Sequence, residues 1–339
     1  RVRSSAELAG RAIAILEHTP DELVVMALHI RGDARCSEGD LGGLQDLRDA
    51  LRLSEEEQST SDIVTPRNYL GEWLAALEGP TAAMREFEAA IDLAERRGFS
   101  TAAHWAKATA ATTLFDLGDW DRALALCEAL LAVPEGMLDA TLSVQAWVTR
   151  SAVGLARGAG VVDDPDRVVS LARSVEELQA LVPALVTAAS VAASRGDAVL
   201  ARSLLEEFDS ATLGVADEYR GSKLAEVART SVAVGAWDLL ERIVSTTETR
   251  SPRDSLQLET AKAVLAEAQG GGDAAERYRR AAEGWRSFGV PYEEALARIG
   301  RSRAARLAGD ASDPEDELRA SELLTALGVR ARPSGHLLS

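Results

Sequence analysis

The residues of this 339-residue chain best suited to chemistry are two cysteines, four histidines, a glycine triplet and a surplus of carboxylates. Cys127 lies in "LFDLGDWDRALALCEALL", residues 114–131, near a Gly-Asp turn, a tryptophan and several acids. A nucleophilic thiolate needs a base within reach and an electropositive setting. Cys127 instead shares an apolar stripe with Leu124 and Leu131, which predicts an inert core thiol. "QGGGDAAERY", Gln269 to Tyr278, has glycines like a phosphate loop, but no Lys-Ser/Thr pair and no preceding strand. Those glycines are read as a helix stop. His18, His29, His104 and His336 are scattered, with no second ligand at helical spacing, so no metal and no cofactor are expected. Glu55, Glu56 and Glu57 form the densest acidic run, "LSEEEQSTSD" at 53–62, read as a solvated inter-helix segment. No nucleophile, base and oxyanion donors stand together, and the chain is expected not to be an enzyme.

The composition supports a helical protein. Hydrophobic residues make up 46% but aromatics only 4%, and Ala, Leu, Arg and Glu dominate, which favours helix. Alternating β-branched runs are missing, so no strands are expected. The formal charge of -17 repels phosphate backbones and anionic membranes. Cys36 and Cys127 are too few for a disulfide framework, and each is read as a small apolar residue in a reducing compartment. "LVPALVTAASVAAS", 181–194, is too short and too rich in small residues to span a bilayer. A cytoplasmic location is expected. The first residue is Arg and helical pattern begins at once, which reads as a segment of a longer protein. Lys107, Lys223 and Lys262 are the only lysines.

The elements that position these residues follow a repeat. Glycine followed by a helix-starting residue recurs at Gly39, Gly79, Gly118, Gly196, Gly235, Gly272 and Gly309, spaced 40, 39, 78, 39, 37 and 37 residues apart. The spacing of 78 is twice 39, and the missing turn falls in "LARGAGVVDDPDR", 155–167. A glycine closes one helix in the left-handed conformation and the Asp after it caps the next. Pro20, Pro80, Pro165, Pro252, Pro291 and Pro314 sit where first turns should fall. The spacing predicts A helices at 21–36, 62–78, 101–117, 138–157, 176–195, 216–234, 253–269 and 292–308. B helices are predicted at 40–53, 80–97, 119–132, 165–174, 197–209, 237–247, 273–287 and 315–327. A helix over 5–18 precedes them, giving about 17 in all, with residues 329–339 as a flexible tail. Small residues seven apart, Gly43 with Ala50, Ala83 with Ala90 and Ala275 with Ala282, are read as close-contact positions between helices. The tryptophans are read mostly as packing anchors, with Trp120 and Trp237 at equivalent repeat positions.

"GDWDRALALCEALL" resembles the turn and second helix of a tetratricopeptide repeat. Ala123 fits its small crossing position and Cys127 its large apolar one. Leu130 departs from the second small position, and the period exceeds the usual ~34 residues. The resemblance implies one all-α domain over 1–328, a right-handed α-solenoid of antiparallel helix pairs with about eight repeats. "RYRRAAEGWRSFGVPYEEALARIGRSRAARLAGD", 277–310, is similar to the terminal helices of large bacterial signalling ATPases, some linked to adenylate/guanylate cyclase domains and others of LuxR type. The matching residues are Tyr278, Ala282, Trp285, Gly289, Pro291, Glu294, Ala295 and Gly309. Any ATPase or cyclase activity would then reside outside this chain.

Repeat register places Asn68, Glu72, Trp105, Thr112, Gln145 and Arg229 on the groove face of the A helices. The resemblance implies an interaction or sensor module of a signalling or transcription regulator. Its expected partner is a protein or peptide in the groove, including other domains of the same parent protein, and neither nucleic acid nor membrane. The alternative is a small-molecule effector pocket inside the superhelix, which inward polar residues under a closed groove would favour.

Overall fold

The computed structural model describes residues 2–16, 22–57, 60–134, 136–161, 164–214 and 217–329. All regular structure among them is α-helix. The chain forms two compact units, Arg1–Thr113 and Leu114–Ser339.

The first unit contains α1 (Val2–Leu16), α2 (Glu22–Ser37), α3 (Gly42–Glu57), α4 (Thr60–Leu77), α5 (Pro80–Arg97) and most of α6 (Ser100–Leu117). The second contains the end of α6, then α7 (Trp120–Leu131), α8 (Ala140–Arg157), α9 (Pro165–Val175), α10 (Leu178–Ser194) and α11 (Ala198–Thr212). It continues through α12 (Asp217–Gly221), α13 (Leu224–Ala233), α14 (Trp237–Thr246), α15 (Pro252–Ala268), α16 (Ala274–Phe288), α17 (Pro291–Ala308) and α18 (Pro314–Ala326). Within each unit short turns make successive helices antiparallel and helices pack on their neighbours, an all-α helical-repeat, solenoid-type architecture.

Helix starts and stops follow the repeat. Pro80, Pro165, Pro252, Pro291 and Pro314 each open a helix, whereas Pro20 lies outside the described residues. Gly39, Gly79, Gly118, Gly196, Gly235 and Gly309 all have positive φ. The seventh mark is displaced: Gly270, not Gly272, takes the left-handed conformation after α15, and the Gly271 N–H donates to the Ala266 carbonyl at 2.7 Å. The glycine triplet is thus a helix stop. Asp119 and Asp197 cap the helices after their glycines, accepting from Arg122 and Leu200 N–H groups. Asp310 does not; Asp313 caps α18 instead.

Three expectations need correction. The helix expected over 216–234 is broken into α12 and α13, which raises the count among the described residues to 18. On one side of the break the fully buried Arg220 is anchored by hydrogen bonds to Asp209, Thr212, Thr246 and Thr247. On the other, Gln257 Oε1 accepts from the Ala225 N–H at 2.9 Å, so the two halves are held by different neighbours. The acidic run is not wholly inter-helix: Glu55 and Glu56 belong to the last turns of α3 and pair with Arg67 and Arg52. Trp237 is 47% exposed although its repeat equivalent Trp120 is 1% exposed. Trp120 is covered by aromatic rings from elsewhere in its unit, so the shared repeat position does not decide burial.

The cores are built from the predicted faces. On α5, Met84, Phe87 and Ala94 are buried, and Ile91 packs against the cluster that holds Ala94. Ala83 and Ala90 are also buried, as the close-contact reading requires. A methyl placed on Gly43 would meet the Gly32 carbonyl oxygen at 2.4 Å, so α2 and α3 touch backbone to backbone there. In α16 the buried small residues are Ala274, Ala281 and Ala282, while Ala275 is half-buried. The second unit has one large core that includes Trp147, Leu185, Phe208, Leu240 and Trp285.

Candidate ligand cavity

The second unit closes on itself. Trp120, the first residue of α7, stacks on Phe115 with ring centroids 5.5 Å apart, and Tyr292 of α17 meets both rings edge-on. Leu327, just past α18, completes this apolar cluster with Val153. Gly118 lies beneath the contact: at φ 85° it accepts the turn, and a methyl there would come within 2.5 Å of Leu327 Cδ2. Arg157 adds polar ties, donating from Nε to the Leu327 carbonyl at 3.3 Å and pairing with Asp121 at 2.9 Å. Arg253 of α15 pairs with Asp116 of α6 at 2.7 Å.

Beside these contacts lies a cavity of about 340 Å³, lined mainly by the A helices of the unit, with Trp285 of α16 and Val329 added. Its lining includes the apolar residues Phe115, Leu155, Ala156, Val290 and Tyr292. It also includes the charged residues Lys223, Arg229, Arg253, Asp116, Glu226 and Glu293, together with Ser190, Thr230 and Gln257. The α13 sequence explains part of this charged lining. Glu226, Arg229 and Thr230 fall at i, i+3 and i+4, one helical face, while Leu224, Val227 and Ala228 enter the core.

These charges are organised. Arg229 donates twice to Glu293, at 2.9 and 2.7 Å. Burial works against the charge of Arg229, but Glu293 holds its guanidinium above the ordinary range. Burial raises the Asp116 carboxyl above its ordinary value against the pull of Arg253 and Lys223. Ser190 Oγ donates to Glu226 Oε1 at 2.9 Å and lies 2.9 Å from Thr230 Oγ1. Lys223 Nζ is 3.8 Å from Glu226 Oε2, longer than a hydrogen bond. The Tyr292 hydroxyl is pushed up to about 12 by burial and so stays neutral.

Of the groove residues expected from register, only Arg229 lines this cavity. Gln145 lies on α8 in the same unit, and its Oε1 is buried without a hydrogen-bond partner. The other four belong to the first unit. Asn68 Nδ2 donates to Glu72 at 2.8 Å, and Asn68 Oδ1 accepts from Thr109 at 3.0 Å. Burial, helped by Asp33, pushes the Glu72 carboxyl up to about 7. Asp33 itself accepts from Trp73 Nε1 at 2.9 Å. Trp105 and Thr112 are half-buried on α6, where the Thr112 hydroxyl donates to the Ala108 carbonyl at 3.4 Å. Asn68 and Glu72 thus share one network, while Trp105 touches it only through its carbonyl, which accepts from Thr109.

Lys223, Glu226, Asp116, Arg253 and Glu293 were not expected from register. A signal for one of them existed: the polar stripe on α13 that contains Arg229 also contains Glu226. Cys127 is fully buried and desolvation pushes its thiol up to about 12, which leaves it protonated and inert. His18 and His336 lie outside the described residues. Among the described residues, no group of three or more His, Cys, Asp or Glu side chains is placed to hold a metal ion. No helix among them is long and apolar enough to cross a membrane.

Fold and cavity together define a helical-repeat protein with an interior polar pocket. Compared with known proteins, the sequence matches no family model and no curated protein.

Proposed function

We propose that this chain is a non-catalytic sensor module of a cytoplasmic, multidomain bacterial signalling or transcription regulator, and that the second unit binds a small-molecule effector. The observation that carries this reading is a partly open cavity whose lining combines ordered ion pairs with apolar side chains. Its volume of about 340 Å³ sits at the small end of the roughly 300–1,000 Å³ typical of ligand pockets. That size suits a single small metabolite better than a peptide. The glycine period, the buried Ala123 and the buried Cys127 support kinship with tetratricopeptide arrays. Effector binding would act on attached domains by stabilising the closed arrangement of the unit's first and last helices, because only a ligand with different affinity for two states can shift them.

The test is a thermal-shift screen of the chain with a library of common metabolites at millimolar concentration. It is run in parallel on Ala193→Phe, which places a ring in the cavity from α10. The expected result is one chemical class that raises the wild-type midpoint by several degrees (about 2.7 kcal/mol of stabilisation at a hundredfold excess over Kd) and leaves Ala193→Phe unmoved. Equal shifts in both proteins, or no shift with any compound, would count against the reading. Circular dichroism of Ala193→Phe checks that its helices are intact.

A further inference from the structure

The charges of the cavity wall narrow the ligand class, given the reading of the cavity as an effector site. The lining is formally neutral, with three cations against three carboxylates. A ligand of net charge would leave an uncompensated charge in a partly desolvated space, which is costly. A ligand without charged ends would leave the wall's own unpaired groups unserved.

Those unpaired groups are identifiable. The Arg229–Glu293 pair is closed by two hydrogen bonds, and Arg253 and Asp116 meet at 2.7 Å. The third pair is open. Lys223 and Glu226 are separated by 3.8 Å, and each side chain keeps 24% of its surface exposed. Glu226 is held in place through Oε1 by Ser190, which leaves Oε2, among the described residues, with the long contact to Lys223. Among the described residues neither the Lys223 ammonium, which acts on Asp116 through its charge alone, nor this Glu226 oxygen is closed by a hydrogen bond, so the cavity offers both side by side. The same cavity is lined by Leu155, Val290 and Tyr292.

We infer that the cavity binds a small zwitterion with an apolar side chain, an α-amino acid in chemical class, with its carboxylate on Lys223 and its ammonium on Glu226. Such a ligand replaces one loose ion pair by two charge-assisted contacts, adds no net charge, and gives its apolar part the apolar lining residues to rest on. Lys223 suits this task as a compact ammonium on a flexible stem, and it is one of only three lysines in an arginine-rich chain.

The experiment is isothermal titration of the full chain with L-leucine, L-valine and L-phenylalanine. The one-ended analogues 2-phenylethylamine and 3-phenylpropanoate are titrated alongside. At least one amino acid is expected to bind, and each phenyl analogue to bind at least tenfold more weakly than L-phenylalanine or not at all. Lys223→Met should weaken the amino acid about tenfold and leave any residual amine binding unchanged. Glu226→Gln should weaken the amino acid similarly and leave any residual acid binding unchanged. Equal affinity for an amino acid and a one-ended analogue overturns the inference. So does silence of all these compounds while a sugar or an organic anion from the metabolite library binds; in that case the effector reading stands and only the ligand class falls. Silence of every compound overturns both.

Discussion

Glu72 is the residue whose surroundings have the clearest measurable consequence. Its carboxyl is bonded to Asn68 and raised from an ordinary 4.5 to about 7 by burial, with Asp33 adding repulsion. Between those two values the folded chain holds this proton more tightly than the unfolded chain does. The associated stabilisation is complete below pH 4.5, declines as pH rises, and is gone above pH 7. Glu72→Gln keeps a side-chain oxygen for Asn68 and removes the titration. Urea unfolding should show the variant more stable than the wild type by about 2 kcal/mol at pH 8, with the two converging near pH 4. A difference that does not change with pH would refute the account. Arg220 illustrates the opposite solution to burial: its guanidinium is surrounded by Asp209 and three threonines, and no part of it is left for a ligand.

Helices in this protein approach by means of small residues, and the closest approach tests that statement. A methyl on Gly43 would lie 2.4 Å from the Gly32 carbonyl oxygen and 2.6 Å from Cys36 Sγ, so α2 and α3 would have to separate. Gly43→Ala should cost about 2 kcal/mol in denaturant unfolding, within the usual range for overpacking. Gly272→Ala, with open space and an ordinary backbone conformation, should change stability little. Equal costs would contradict the packing assignment. Elements of this kind were legible in the sequence because their causes are local: a glycine stop, an Asp or Pro start, and apolar residues at three- and four-residue steps. The break at 222–223 was not legible, because it depends on Arg220 and Ala225 finding different partners far along the chain. For the same reason Trp237 could not be told from Trp120. One is exposed and the other covered by Tyr292, a residue more than 170 positions away.

At the scale of the whole molecule the functional reading depends on closure within the second unit. Register reasoning identified Arg229 as inward-facing, since an A-helix face can be counted from the repeat. It did not identify the cavity, whose walls come from residues 115 to 329 and meet only when the end of α6 and the start of α7 contact α17 and Leu327. Curvature accumulated over several repeats decides that meeting, and no single repeat encodes it. The charged lining then follows from which polar residues the inward faces happen to carry. The most direct test of this account is a crystal structure of the chain grown with the compound that gives the largest thermal shift. The account predicts density for that compound bounded by Ser190, Lys223, Glu226 and Tyr292, with the Trp120–Tyr292 contact intact. An empty cavity with the compound bound on an outer helix face would contradict it.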